Sequence, residues 1–98
     1  MYNFNKGNFA EFMLKKYKII VDKSRVGEES VSLDKGELDE CLISKEVRKR
    51  LPDQLIVHTC AYKEKNEWIV GVICAEHSGM PLVLICLKEG NRIFEGII

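Results

Sequence analysis

The sequence predicts an α+β domain: a four-stranded antiparallel meander over residues 54–98, with amino-terminal helices packed on one of its faces. Three observations lead there. The chain after Asp53 falls into four segments rich in β-branched and aromatic residues, short turn-forming sequences separate them, and the chain before them carries apolar residues at helical spacing.

The four segments are Gln54 to Lys63, Glu67 to Glu76, Leu82 to Lys88 and Arg92 to Ile98. Their β-branched and aromatic side chains suit a pleated surface. The separators are Glu64-Lys65-Asn66, then His77 to Pro81, then Glu89-Gly90-Asn91. Connections this short join antiparallel neighbours. Gly90-Asn91 tolerates the positive φ of a tight hairpin, so a two-residue loop there pairs Glu89 with Arg92. Pro81 opens the third strand, where its missing N–H costs nothing.

Before the meander, Asn8 followed by Glu11 reads as a helix start, and Phe9, Phe12, Met13 and Tyr17 then recur at helical spacing. From Tyr17 the period changes: Tyr17, Ile19 and Val21 alternate with Lys18 and Asp22, which predicts an extra edge strand over 17–22. Residues 22–32 are polar and read as a loop. Asp34 with Glu37, flanked by Leu33 and Leu38, forms a capping box and hydrophobic staple and predicts a helix from that point. Leu38, Cys41 and Leu42 lie on one face of such a helix and Ile43, Val47 and Leu51 nearly opposite, so a break near Ser44 is required. Ser44 then caps a second short helix, Lys45 to Leu51, which ends before Pro52.

A chain of 98 residues with 46% hydrophobic and 31% charged composition supports one core, hence a single domain over residues 1–98. Fifteen basic and fifteen acidic residues cancel, which removes the electrostatic footprint of a dedicated nucleic-acid binder. No apolar run is long enough to span a bilayer and no leader pattern opens the chain, so a cytoplasmic protein without membrane contact is expected. The cysteines at 41, 60, 74 and 86 are widely spaced, and three fall in apolar strands. They read as reduced, structural thiols and not as a disulfide frame or zinc site, whose ligands arrive in close pairs.

Chemistry-bearing motifs are scarce. His58 lies mid-strand and His77 in a turn; no phosphate-cradling glycine loop, nucleophile elbow or paired-histidine helix occurs. No catalytic residue, cofactor site or metal site is assigned. Lys45, Arg48, Lys49 and Arg50 are a basic cluster, interrupted by Glu46 and without interleaved aromatics.

Both faces of the meander are apolar. With Tyr62 opposite Trp68 and Cys74 opposite Leu82, one face collects Tyr62, Trp68, Val70, Lys88 and Glu95 among its residues. The other holds Leu55, Val57, Gly71 and Ala75, whose small members leave room for helices. The expected function is therefore a small non-enzymatic intracellular interaction module, an inhibitor, adaptor or immunity-type protein. It would bind a protein partner or a second copy of itself, as a homodimer, through Tyr62, Trp68, Val70, Lys88 and Glu95. One alternative is an RNA-acting ribonuclease toxin using His58, Tyr62, Lys88 or Arg92. The other is a nucleic-acid regulator using Lys45 to Arg50, although nucleic acid is the less expected partner.

Overall fold

The computed structural model describes residues 4–98. Helix α1 spans Lys6–Tyr17, strand β1 Gly27–Asp34, helix α2 Lys45–Arg48, and strands β2 to β5 Gln54–Lys63, Glu67–Ala75, Pro81–Lys88 and Asn91–Ile97; two 3-10 turns, Lys23–Arg25 and Lys35–Glu37, flank β1. The strands form one sheet in the order β1-β2-β3-β4-β5, every pair antiparallel. The meander over 54–98 is as predicted, each strand end within one residue.

The fifth strand corrects the expectation for residues 17–32. The segment read as a polar loop supplies β1, which pairs along its whole length with β2, from Gly27 opposite Ala61 to Asp34 opposite Gln54. Its sequence, Gly-Glu-Glu-Ser-Val-Ser-Leu-Asp, is exposed at nearly every position, so backbone bonds to β2 hold it and side-chain burial does not. Residues 17–22 do alternate, but across the sheet face instead of along its edge. Ile19 and Val21 pack on the core, whereas Ile20 points out at 83% exposure.

Helix α1 begins one turn earlier than the Asn8 signal suggests. Asn5 is its N-cap: the Asn5 side chain accepts from the Asn8 amide at 3.0 Å, and the Asn8 side chain accepts from the Asn5 amide at 3.1 Å. Lys18 ends it in the left-handed region at φ 59°, with its N–H on the Leu14 carbonyl and that of Ile19 on the Met13 carbonyl. Asp34 caps only the 3-10 turn Lys35–Glu37 and not a full helix. The break at Ser44 is present, and the Ser44 hydroxyl caps α2 by accepting from the Val47 amide at 3.4 Å.

Helical segments cover both faces of the sheet, not one. Phe9, Phe12, Met13 and Tyr17 of α1 close a cluster with Cys60, Tyr62, Trp68, Val70, Val72, Cys74 and Cys86. Aromatic pairs seat the helix: Phe9 on Tyr62 at 6.4 Å, Phe12 on Phe94 at 5.9 Å and Tyr17 on Trp68 at 5.1 Å between ring centres. On the other face, Leu38, Ile43, Val47 and Leu51 pack against Leu55, Val57, Ile73, Val83 and Ile85. Gly71 does not admit a helix there. The atoms nearest to a Cβ on it belong to Ile85, Thr59 and Val57, its neighbours in the same sheet, and nearby Ala61 is exposed.

The β4–β5 hairpin also differs from expectation. Its two-residue turn is Glu89-Gly90, with φ of 52° and 80°, and Lys88 pairs with Asn91. Positive φ at both central residues is the turn whose twist matches the strands. The register then slips by one residue beyond Leu87, where Leu87 faces Arg92 but Cys86 faces Phe94. That bulge sends Glu95 and Ile97 to the α2 side and Phe94 to the α1 side.

Candidate interaction surface

The five residues expected to form a partner surface do not form one. Tyr62 and Trp68, at 3% and 7% exposure, and fully buried Val70 lie beneath α1. The Lys88 ammonium sits over the Trp68 ring, 5.1 Å from its centre. Glu95 is on the opposite face, because of the bulge. The expectation of an open sheet face is thus corrected: α1 and the 18–22 arm, with enough aromatic area between them, close it.

The residues named for ribonuclease chemistry are likewise not brought together. His58 Nδ1 is 2.7 Å from Ser30 Oγ across β1 and β2. The Tyr62 hydroxyl donates to the Glu64 carboxylate at 3.0 Å, and Arg92 donates to the Glu40 carbonyl at 2.9 Å from the other side of the sheet. Among the described residues no cluster of His, Cys, Asp and Glu has metal-holding geometry, and no helix is long and apolar enough to cross a membrane. Cys60, Cys74 and Cys86 are buried in the α1-side cluster and Cys41 is exposed. Burial pushes the Cys60 thiol up to about 11 and those of Cys74 and Cys86 in the same direction, which keeps all three protonated and unreactive at neutral pH.

The basic helix is partly spent on the fold. Lys45 pairs with Glu40 at 3.4 Å and Arg48 donates to the Leu38 carbonyl at 2.9 Å. Lys49 and Arg50 are exposed and make no ion pair among the described residues.

What remains open is an edge. The two ends of the sheet differ in how they are protected. The β1 edge carries Glu28, Glu29 and two serines, and Glu28 accepts from the Lys6 amide at 2.8 Å. Charge of this kind discourages strand addition. The β5 edge carries Ile93 and Ile97, with Ile98 beyond it, all exposed, and neither lysine nor proline between Asn91 and Ile97. The Ile98 amide donates to the Leu82 carbonyl at 2.9 Å. Alternation from that bond turns the backbone groups of Gly96 toward β4 and those of Glu95 and Ile97 away from the sheet.

Tertiary contacts tie this edge to the segment before α2. The Glu95 carboxylate accepts from the Ser44 amide at 2.7 Å and the Ser44 hydroxyl at 2.8 Å, and Arg92 Nη1 lies 3.9 Å from it. One side chain of β5 thereby fastens the start of α2 to the sheet. Beside this fastening, Val47, Leu51, Leu82, Val83, Ile97 and Ile98 wall an apolar cleft of about 160 Å³ with Arg50 at its margin. Sequence reasoning missed this site. Its one visible signal is the run Arg92–Ile98, rich in isoleucine and free of lysine and proline at the position of a terminal strand.

Compared with protein-family models, curated proteins and solved structures, the chain matches none.

Proposed function

We propose that this chain is a small, non-enzymatic protein-interaction module that docks an extended segment of a partner along the β5 edge. The observation that carries the reading is the asymmetry of the two edges. One carries the exposed carboxylates of Glu28 and Glu29, while the other, whose Arg92 and Glu95 are part-buried, presents outward backbone groups at Glu95 and Ile97 beside exposed Ile93, Ile97 and Ile98. An added strand satisfies those backbone groups and covers the isoleucines in one step. Self-association through the same edge belongs to this reading, because a second copy offers an apolar strand of its own.

The test is hydrogen exchange on the protein bound to whatever it captures from its host's extract. Protection should appear at the amides of Glu95 and Ile97, and Ile97→Lys should abolish capture while leaving the circular-dichroism spectrum unchanged. A complex that leaves β5 exchange unaltered and survives Ile97→Lys would place the interface elsewhere.

A further inference from the structure

We infer that the cleft at the α2 end of β5 is the specificity pocket of this edge, and that the strand it receives carries a large aliphatic side chain with a carboxylate two residues away on the same face. The inference rests on reading β5 as the docking edge, and it adds the chemistry of the occupant.

The geometry begins with Ile97. It pairs with Val83, whose side chain belongs to the α2-side cluster, so Ile97 faces that side of the sheet. Strand side chains directly opposite one another share a face. The residue that an incoming strand sets beside Ile97 therefore projects toward the cleft walled by Val47, Leu51, Leu82 and Val83. The cleft measures about 160 Å³, the scale of the ~150 Å³ aliphatic cavity that accommodates a benzene-sized group. One leucine or isoleucine side chain fills such a space, whereas a polar group would lose its hydration there without a partner.

Charge sets the next position on that face, two residues along. No Asp or Glu lines the cleft, and Arg50 stands at its margin with Lys49 beside it in sequence. Neither cation forms an ion pair among the described residues, in contrast to Lys45, paired at 3.4 Å with Glu40. Arg50 can take a carboxylate through two parallel N–H···O bonds, whereas a cation in the same place is repelled. A second copy of the chain fits less well. Aligned antiparallel over the full strand, it brings the Asn91–Ile93 end of its own β5 to this point, and that end offers Arg50 no carboxylate. The occupant favoured by the site is thus a different protein segment, extended, aliphatic and acidic.

The test uses the full chain, labelled with nitrogen-15, and a seven-residue probe peptide of alternating threonine and valine ending in leucine, threonine and aspartate, blocked at both ends. A control peptide carries lysine in place of the aspartate. The aspartate peptide should shift the amide resonances of Glu95 and Ile97 and bind about tenfold more tightly than the lysine peptide. Arg50→Glu, a change at an exposed position, should reverse that preference. Equal affinities at β5 would overturn the assigned chemistry and leave the docking edge standing. Absence of any β5 shift with either peptide at millimolar concentration would overturn both. Shifts at β5 produced by raising the protein concentration alone would make a second copy the occupant and overturn the inference.

Discussion

Replacing Glu95 by alanine removes the one side chain that fastens β5 to the start of α2, and its cost can be worked from the contacts. The carboxylate is 19% exposed and accepts two short bonds, from the Ser44 amide at 2.7 Å and the Ser44 hydroxyl at 2.8 Å, with Arg92 at 3.9 Å. Hydrogen bonds to a charged group contribute about 1.5–3 kcal/mol each. Ser44 is half-buried, so water reaches its donors after truncation and returns part of that sum. About 2–3 kcal/mol of destabilisation remains, a large share of the ~5–15 kcal/mol that holds a domain of this size together. Urea unfolding followed by circular dichroism should show the midpoint fall by about 1 M at unchanged slope, and the melting temperature should drop by roughly 10–20 °C. Glu95→Gln, which keeps the shape and a neutral acceptor, should lose about half as much. The cycle of Glu95→Ala with Ser44→Ala should show a coupling of about 1 kcal/mol. If Glu95→Ala and Glu95→Gln both unfold within ~0.5 kcal/mol of the parent, the 38–51 segment is held by Leu38, Ile43, Val47 and Leu51 and by the Arg92 bond to the Glu40 carbonyl, and the fastening argument is wrong.

Three further outcomes are expected. In the native protein a thiol reagent at neutral pH should modify exposed Cys41 quickly and the buried Cys60, Cys74 and Cys86 only on unfolding, and Cys74→Ser should cost about 1–3 kcal/mol; fast reaction of a second thiol refutes the burial. Burial first, and the neighbouring Cys86 second, push the Tyr17 hydroxyl from 10 up to about 12. The unfolded chain therefore releases this proton before the folded one does, and stability should fall as pH rises from 10 to about 12. Tyr17→Phe should flatten that fall and, because the hydroxyl has no protein hydrogen-bond partner among the described residues, should not destabilise at neutral pH; a loss above ~1 kcal/mol there counts against it. Gly71→Ala should be neutral or stabilising by up to ~1 kcal/mol, since its Cβ would meet Ile85 and Thr59 at 3.5 Å, an ordinary contact, and the backbone needs no positive φ; a destabilised variant would mean that the sheet cannot accept the methyl.

Local chemistry was enough to locate most elements. Strands β2 to β5 follow from runs of β-branched residues between turn signals, and the Tyr62–Trp68 pairing from the length of the hairpin that joins them. The α1 stripe follows from helical spacing, and the break at Ser44 from two apolar faces that no straight helix could bury together. Each depends on residues near one another in the chain, which the sequence itself determined. Three things were decided only by tertiary structure. Strand β1 has almost no buried side chain, so its state is set by the backbone groups that β2 offers it. The bulge beside Leu87 depends on which register satisfies the Glu89-Gly90 turn, and one residue of slip moved Glu95 from the expected partner face to the Ser44 fastening. The candidate site arose where two such decisions met. Once α1 and the 38–51 segment had covered a face each, the remaining unpaired backbone lay at the edges, and on the β5 edge the charged side chains, Arg92 and Glu95, are drawn in to Glu40 and Ser44 while the isoleucines stay exposed. Apolar periodicity reports that a side chain wants cover; it carries no information on which neighbour arrives to supply it.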